Sequence, residues 1–275
     1  MSGKKNTIMY SVVIPTYNRK DLALKTARQI KQLHPEAEVI VVEQKETKEI
    51  TEHTEVVDGI IYITISTVNT SYAKNKGAQV SKGDIIFFFD DDVEITEKTV
   101  PEQIKAYEDS AVFGTSGRVL IDYEPIPKNS DVQTGKTNIL GTKFLMQFWS
   151  TKKQEIDFPY GCNMSFRKTE FEKVGGFDER FTKIFEEIDL GVRIRKSGGV
   201  IQFVPEALAY HHKAQTGGTR TNMKEKMRMI YVHYGMYLKK HVPFPLVLIS
   251  VGARLRSALY EAPFAVKDFI KGLMI

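Results

Sequence analysis

Four short stretches, Tyr10–Ile14 (YSVVI), Glu38–Val42 (EVIVV), Ile60–Ile65 (IIYITI) and Asp84–Phe89 (DIIFFF), are almost continuously apolar and rich in β-branched and aromatic side chains. Runs of this kind predict strands buried on both faces, the pattern of parallel sheets. Between the first two, Leu22, Thr26, Ile30 and Leu33 fall at helical spacing behind Asn18, a candidate N-cap. Between the last two, SYAKNKGAQVSKG reads as a second helix ended by Gly83. Strands alternating with helices predict an α/β chain with a Rossmann-like, mostly parallel sheet flanked by helices. Ligands of such sheets bind beyond the carboxyl ends of the strands. Three loops at those ends, PTYNR (Pro15 to Arg19), EQKET (Glu43 to Thr47) and Asp90 to Asp92, are therefore expected to converge.

The regularity fails near residue 123, where DYEPIPKNSDVQTGKTNILGTKF carries two prolines and two glycines and predicts a long functional loop. Order returns at DFPYGCNMSFRKTEFEKVGGFDERF. FEEIDLGVRIRKSGG then reads as a helix closed by Gly198, and VIQFVPEALAYHH as two short strands separated at Pro205. From Asn222 on, Lys239, Lys240, Arg254, Arg256, Lys267 and Lys271 alternate with apolar residues in a helical pattern. Such a segment suits either packing on the main domain or lying on a membrane surface.

Composition narrows the class. With 42% hydrophobic residues the chain can build a full core, and a single cysteine, Cys162, excludes an internal disulfide framework and fits a reducing compartment. The net charge of +5 suggests an anionic partner such as phosphate or a membrane surface; no motif or basic-aromatic array points to nucleic acid. No segment reaches the roughly 18 to 20 continuous apolar residues that span a bilayer, and the N-terminus does not read as a signal peptide.

Three consecutive carboxylates, Asp90, Asp91 and Asp92, follow the apolar run directly. Like charges at the mouth of a buried strand need a counter-ion, and Asp90 and Asp92, two apart, aim to one side while Asp91 points away. Two carboxylates aimed at one point suit a hard divalent cation, with phosphates and water completing its shell.

The ordered series SVVIPTYNRKDL, EVIVVEQ, AKNKGAQVSKGDIIFFFDDDV, GCNMSFRKTEFEKVGGFDERF, FEEIDLGVRIRKSGG and VPEALAYHH resembles the family 2 glycosyltransferases of GT-A fold over about residues 8–215. The resemblance implies a nucleotide-diphosphate sugar donor, a divalent metal and inversion at the anomeric carbon. By position, Asp92 would hold the metal with Asp90 assisting, and Asp91 would face the ribose. Pro15, Thr16 and Arg19 would line the nucleotide, with Glu43, Lys74 and Asn75 near base and phosphates. Glu43 and Lys74 replace the family's usual aspartate and arginine, and lysine cannot bond in a fork. Glu187 falls on the family's catalytic base, with Glu186 and Asp189 beside it. His211 or His212 matches a histidine that completes the metal shell; neighbours on a strand face opposite ways, so one serves, and the assignment is to His211. An imidazole ligand tilts the ion from Mg²⁺ toward Mn²⁺. Gly161 and Asn163 lie where the family contacts sugar and acceptor, and Trp149 suits either stacking on a sugar or filling core.

The expected organisation is a GT-A domain over 1–221, with a nucleotide-binding half (8–122) and an acceptor or catalytic half (123–221), and an amphipathic helical extension over 222–275. The expected partners are a UDP, GDP or dTDP sugar and a saccharide or lipid-linked acceptor. The expected location is cytoplasmic, peripheral at the inner face of the cell membrane. Two other readings compete: a non-catalytic nucleotide-binding or scaffold module, and a nucleotidyltransferase. The latter would want a glycine-rich phosphate loop after the first strand, and PTYNR has no glycine.

Overall fold

The computed structural model describes residues 8–46, 52–122, 124–212 and 222–275. Thr47 and the end of the second expected loop, Tyr123, and the stretch 213–221 lie outside the described residues. In chain order the elements are β1 (Tyr10–Tyr17), α1 (Lys20–Leu33), β2 (Glu38–Gln44), β3 (His53–Val57), β4 (Ile60–Ile65), α2 (Thr70–Val80), β5 (Ile85–Phe89), β6 (Val93–Ile95), α3 (Thr99–Ala106) and β7 (Val112–Ile121). They continue as β8 (Lys136–Thr137), β9 (Phe144–Leu145), β10 (Gln154–Ile156), β11 (Asn163–Arg167), α4 (Lys168–Lys173), α5 (Glu186–Lys196), β12 (Val200–His211), α6 (Met223–His241), α7 (Leu246–Glu261) and α8 (Val266–Met274).

One large sheet runs in the order β10-β12-β7-β11-β5-β1-β2-β4-β3, with β6 added on β12. The four apolar runs are its parallel centre, β5-β1-β2-β4. They are continuously apolar because both faces are covered: Val12, Ile14, Phe87 and Phe89 pack with α1 and α3, while Val13 and Phe88, one residue out of phase, pack with α2, α4 and α5. Helices α6, α7 and α8 join that second cluster through Tyr231, Ala258 and Phe269. Close approach of α6 to α8 requires two glycines: a Cβ at Gly272 would lie 2.0 Å from the Val232 carbonyl, and one at Gly235 2.5 Å from that of Phe269.

Several local expectations change. Asn18 is not the cap of α1; it takes a left-handed φ of 52°, a conformation asparagine tolerates, and the cap position falls to Arg19. Helix α2 ends at Val80, and Gly83 instead permits contact with β1, since a Cβ there would lie 2.4 Å from the Ser11 nitrogen. Pro205 does not split its strand: β12 is one strand of 12 residues whose register with β7 slips between Val204 and Ala209, where proline has no N–H to give the ladder.

Candidate active site

Sheet order puts the C-terminal ends of β5, β1 and β2 side by side, so the loops after them share one mouth. A cavity of about 270 Å³ there is lined by Pro15, Thr16, Arg19, Lys74, Asp90, Asp91, Gly161, Glu186, Glu187 and His211 among the expected residues. The lining also includes Tyr17, Gln44, Thr70, Tyr160, Cys162 and Lys183. Tyr17 and Gln44 belong to the two loops expected to converge here and Cys162 to the quoted GCNMSF motif, whereas no sequence pattern marks Thr70 or Lys183.

The three aspartates are treated differently. Asp91 is buried and already has its counter-charge: Arg19 Nε donates to it at 2.9 Å, Arg19 Nη2 donates to its other oxygen, and the Thr16 hydroxyl donates as well. Burial nonetheless pushes its carboxyl up to about 6, against the pull of Thr16 and Arg19. Asp92 meets His211, Nε2 to Oδ1 at 3.0 Å, with Arg19 3.6 Å from its other oxygen. Asp90 remains 37% exposed at the cavity, 4.0 Å from the same His211 nitrogen. The antiparallel pairing of β6 with β12, Val93 opposite His211, creates this meeting. His212 faces the other way, toward Asp122 at 2.8 Å and Glu94 at 3.0 Å. Contrary to the expectation from spacing, Asp90 and Asp91 line the first cavity, while Asp92 lines a second one, of about 580 Å³, shared with α1 and His212; the chain leaves the strand at Phe89, so strand alternation no longer sets these directions.

Donor atoms of Asp90, Cys162 and His211 lie within 4.8 Å of one another, and Asp92 is bonded to the same imidazole, so the set fits a single divalent cation. The thiol of Cys162 is held protonated by burial, with the charges of Asp90 and Asp92 adding to that.

Opposite the aspartates stands a buried charge cluster. Lys74, only 2% exposed, lies 3.1 Å from Glu186. Burial alone would lower its ammonium, but the carboxylates of Glu186, Asp90 and Glu187 outweigh it and raise the pKa. Glu186 and Glu187 open α5 directly after Phe185, a bulky residue held at φ 73°. Strain of that kind, about 1–3 kcal/mol, persists where surrounding packing enforces it. Glu187 is raised well above the ordinary glutamate range, first by burial and then by the neighbouring Glu186. One oxygen of each glutamate finds no hydrogen-bond partner among the described residues, leaving two polar atoms for something bound.

Besides Asp92, four expected residues lie outside this cavity. Glu43 is buried beside Lys45 at 3.0 Å. Asn75 ties α2 to the backbone of Phe177 through two bonds of 2.9 Å. Asn163 is wholly buried, accepting from Gln103 at 2.8 Å and donating to the Ala207 carbonyl at 3.0 Å. Asp189, also wholly buried, bonds Arg193, Lys240 and His241 and does not line the cavity.

A Rossmann-like parallel centre with aspartates after β5, joined through β11 to a mixed group of strands whose β12 brings in His211, and a helix opening on two buried glutamates, has the architecture of the GT-A fold. The family profile described as Glycosyl transferase family 2 matches residues 11–175, and the chain belongs to that family. A second profile, described as the N-terminal domain of galactosyltransferase, matches residues 149–216. Among curated relatives, an N-acetylglucosaminyl-diphospho-decaprenol L-rhamnosyltransferase of Mycobacterium tuberculosis is 31% identical over 96 residues, 32% of this chain and 31% of that protein. The probable glycosyltransferase YdaM of Bacillus subtilis is 25% identical over 224 residues, 75% of this chain and 51% of that one. The chain thus spans about half or less of the curated relatives it matches. Two solved structures share the GT-A fold. GalNAc-T7 with UDP, GalNAc and Mn²⁺ matches at TM-score 0.58 and 16% identity, over 86% of this chain and 51% of that one. Staphylococcus aureus TarS 1–349 with UDP-GlcNAc matches at 0.55 and 12%, over 95% and 89%.

Proposed function

We propose that the chain is an inverting, metal-dependent glycosyltransferase that moves a sugar from a nucleoside-diphosphate donor to an acceptor hydroxyl in cell-surface polysaccharide or glycolipid synthesis. The observation that carries this is one cavity joining Asp90 and His211, the latter bonded to Asp92 behind it, to Lys74, Glu186 and Glu187. Arg19 and Thr16 fix Asp91 and with it the loop that receives the nucleotide. Lys74 sets a buried positive charge where the donor phosphates enter. A divalent cation, Mn²⁺ or Mg²⁺, held by Asp92, His211 and Asp90, supplies Lewis acidity toward the diphosphate. Glu187 takes the proton of the acceptor hydroxyl. The acceptor oxygen forms its bond to the anomeric carbon from the face opposite the diphosphate, and the old bond breaks with its electron pair leaving on the nucleoside diphosphate.

Both solved neighbours carry uridine nucleotides, which puts UDP sugars first among UDP, GDP and dTDP donors. The name of the mycobacterial relative, with its diphospho-decaprenol, favours a lipid-linked saccharide acceptor. Such an acceptor lies in a membrane. No helix among the described residues is long and apolar enough to cross one. We infer instead peripheral contact at the inner face through α7 and α8. The deciding experiment is a panel of UDP, GDP and dTDP sugars with Mn²⁺ or Mg²⁺, followed by release of nucleoside diphosphate. Metal-dependent release or binding with at least one donor, lost in Asp92→Ala, is expected; its absence with every donor overturns the reading.

A further inference from the structure

Tyr160 borders two cavities: the one containing Asp90 and Glu187, and a neighbour of about 260 Å³ walled by Glu124, Ile126, Met146, Phe148 and Trp149. The two cavities share that one residue. Its ring is firmly seated, since Tyr160 stacks on buried Phe148 with centroids 4.9 Å apart and planes 14° from parallel. The segment carrying Phe148 and Trp149 is equally fixed: the Phe148 carbonyl accepts from Val119 N at 2.9 Å and the Trp149 carbonyl from Arg118 Nε at 2.9 Å. The Trp149 indole is partly exposed and pairs with no other ring among the described residues.

Rigid, partly exposed aromatic faces with a carboxylate at the rim match a pyranose ring, which offers one apolar face of C–H groups edged by hydroxyls. A prenyl chain would favour a dry, closed, purely apolar slot, and this cavity is half open with Glu124 in its wall. Its volume lies just under the roughly 300–1,000 Å³ of small-molecule clefts, fitting one sugar unit rather than a polymer. The cavity also leads to the right chemistry. Gly161 follows Tyr160, and a Cβ on Gly161 would sit 3.8 Å from the Glu187 carboxyl carbon.

Building on the glycosyltransferase reading above, we propose that this cavity is the acceptor subsite, in which a pyranose ring of the acceptor saccharide stacks on Trp149 and Tyr160 and presents its hydroxyl to Glu187. Trp149 is then a specificity-determining residue for the acceptor, without a role at the donor.

Trp149 is the only tryptophan of the chain, so its fluorescence reports on this cavity alone. With the full chain held in UDP and Mn²⁺, a panel of methyl hexopyranosides and N-acetylhexosaminides is titrated beside sorbitol and farnesyl phosphate, while calorimetry follows UDP. A saturable fluorescence change with at least one pyranoside and none with sorbitol is expected. A change with farnesyl phosphate alone, or with no pyranoside while UDP still binds, overturns the subsite and leaves the donor reading standing. Loss of UDP binding itself speaks against the donor reading instead. As a second measurement, saturation-transfer NMR on the responding pyranoside should lose its ring C–H signals in Trp149→Ala and keep them in Trp149→Phe, the acceptor KM rising on the order of tenfold at unchanged donor KM. Equal change in both KM values, or a signal that survives Trp149→Ala, marks the indole as core filler and sinks the proposal.

Discussion

At the scale of one side chain, the proposed base Glu187 makes the most direct prediction. A general base must be deprotonated to act, yet burial first, and then the charge of Glu186, holds the proton on at pH values where an ordinary glutamate is ionised. Turnover should therefore rise with pH along a limb displaced above the ordinary carboxylate pKa of about 4.3. Lys74 opposes that displacement by favouring the charged form, so Lys74→Met should push the limb higher still. Glu187→Gln should lose turnover by about 10²- to 10⁴-fold while nucleotide binding is kept. A pH–rate profile flat down to the ordinary range, or an active Glu187→Gln, would remove the proposed base.

Helix α5 divides its acidic first turn between two tasks. Glu186 and Glu187 line the cavity, whereas Asp189 turns to α6, with Lys240 and His241 both at 2.7 Å, and to Arg193 at 2.6 Å. Burial would raise the Asp189 carboxyl, but His241, Arg193 and Lys240 outweigh it and hold it below its ordinary value. A depressed carboxyl stabilises the fold above its unfolded pKa, about 3.9, and that contribution is lost as pH falls through the lower folded value. Asp189→Asn removes the carboxylate shared by part-buried Arg193 and Lys240 and should cost about 1–3 kcal/mol by denaturant unfolding at neutral pH. The gap to wild type should narrow in acid; an unchanged midpoint at neutral pH would contradict the assignment. The same elements mark what the sequence alone reveals. Strands β1, β2, β4 and β5 announce themselves because both their faces are apolar. Strand β7 and its neighbour β11 do not, because they bury Thr115 and Ser165 in a network with Gln103 and Tyr107 that exists only once the sheet is assembled. Charge motifs exposed the aspartates and the glutamate pair. The placements of Glu43, Asn75 and Asn163 depend on partners distant in sequence, such as Phe177 for Asn75 and Gln103 for Asn163, which no local pattern carries.

At the scale of the whole molecule, one surface has no covering. Phe244 is 79% exposed, Tyr260 92%, and between them Leu248, Ile249 and Leu259 stand out from α7 at helical spacing. Ile270 and Met274 are likewise exposed on α8. An apolar face this wide on a chain of net charge +5 needs a partner. Its charges choose which: Leu246 to Tyr260 contains no acidic residue, and the exposed cations Arg256, Lys267 and Lys271 border the apolar side chains. A second copy would have to bring those cations face to face, whereas an anionic bilayer offers both acyl chains and counter-charge, worth about 1 kcal/mol for each basic residue near the surface. The full chain should therefore sediment with vesicles of phosphatidylglycerol and phosphatidylcholine, and far less with pure phosphatidylcholine. Added salt should weaken binding through the basic residues, and Leu248→Asp with Tyr260→Asp should abolish it without lowering the melting temperature, since both side chains are already in solvent. A monodisperse dimer that ignores vesicles of either composition would hand the face to a second copy and refute the bilayer assignment.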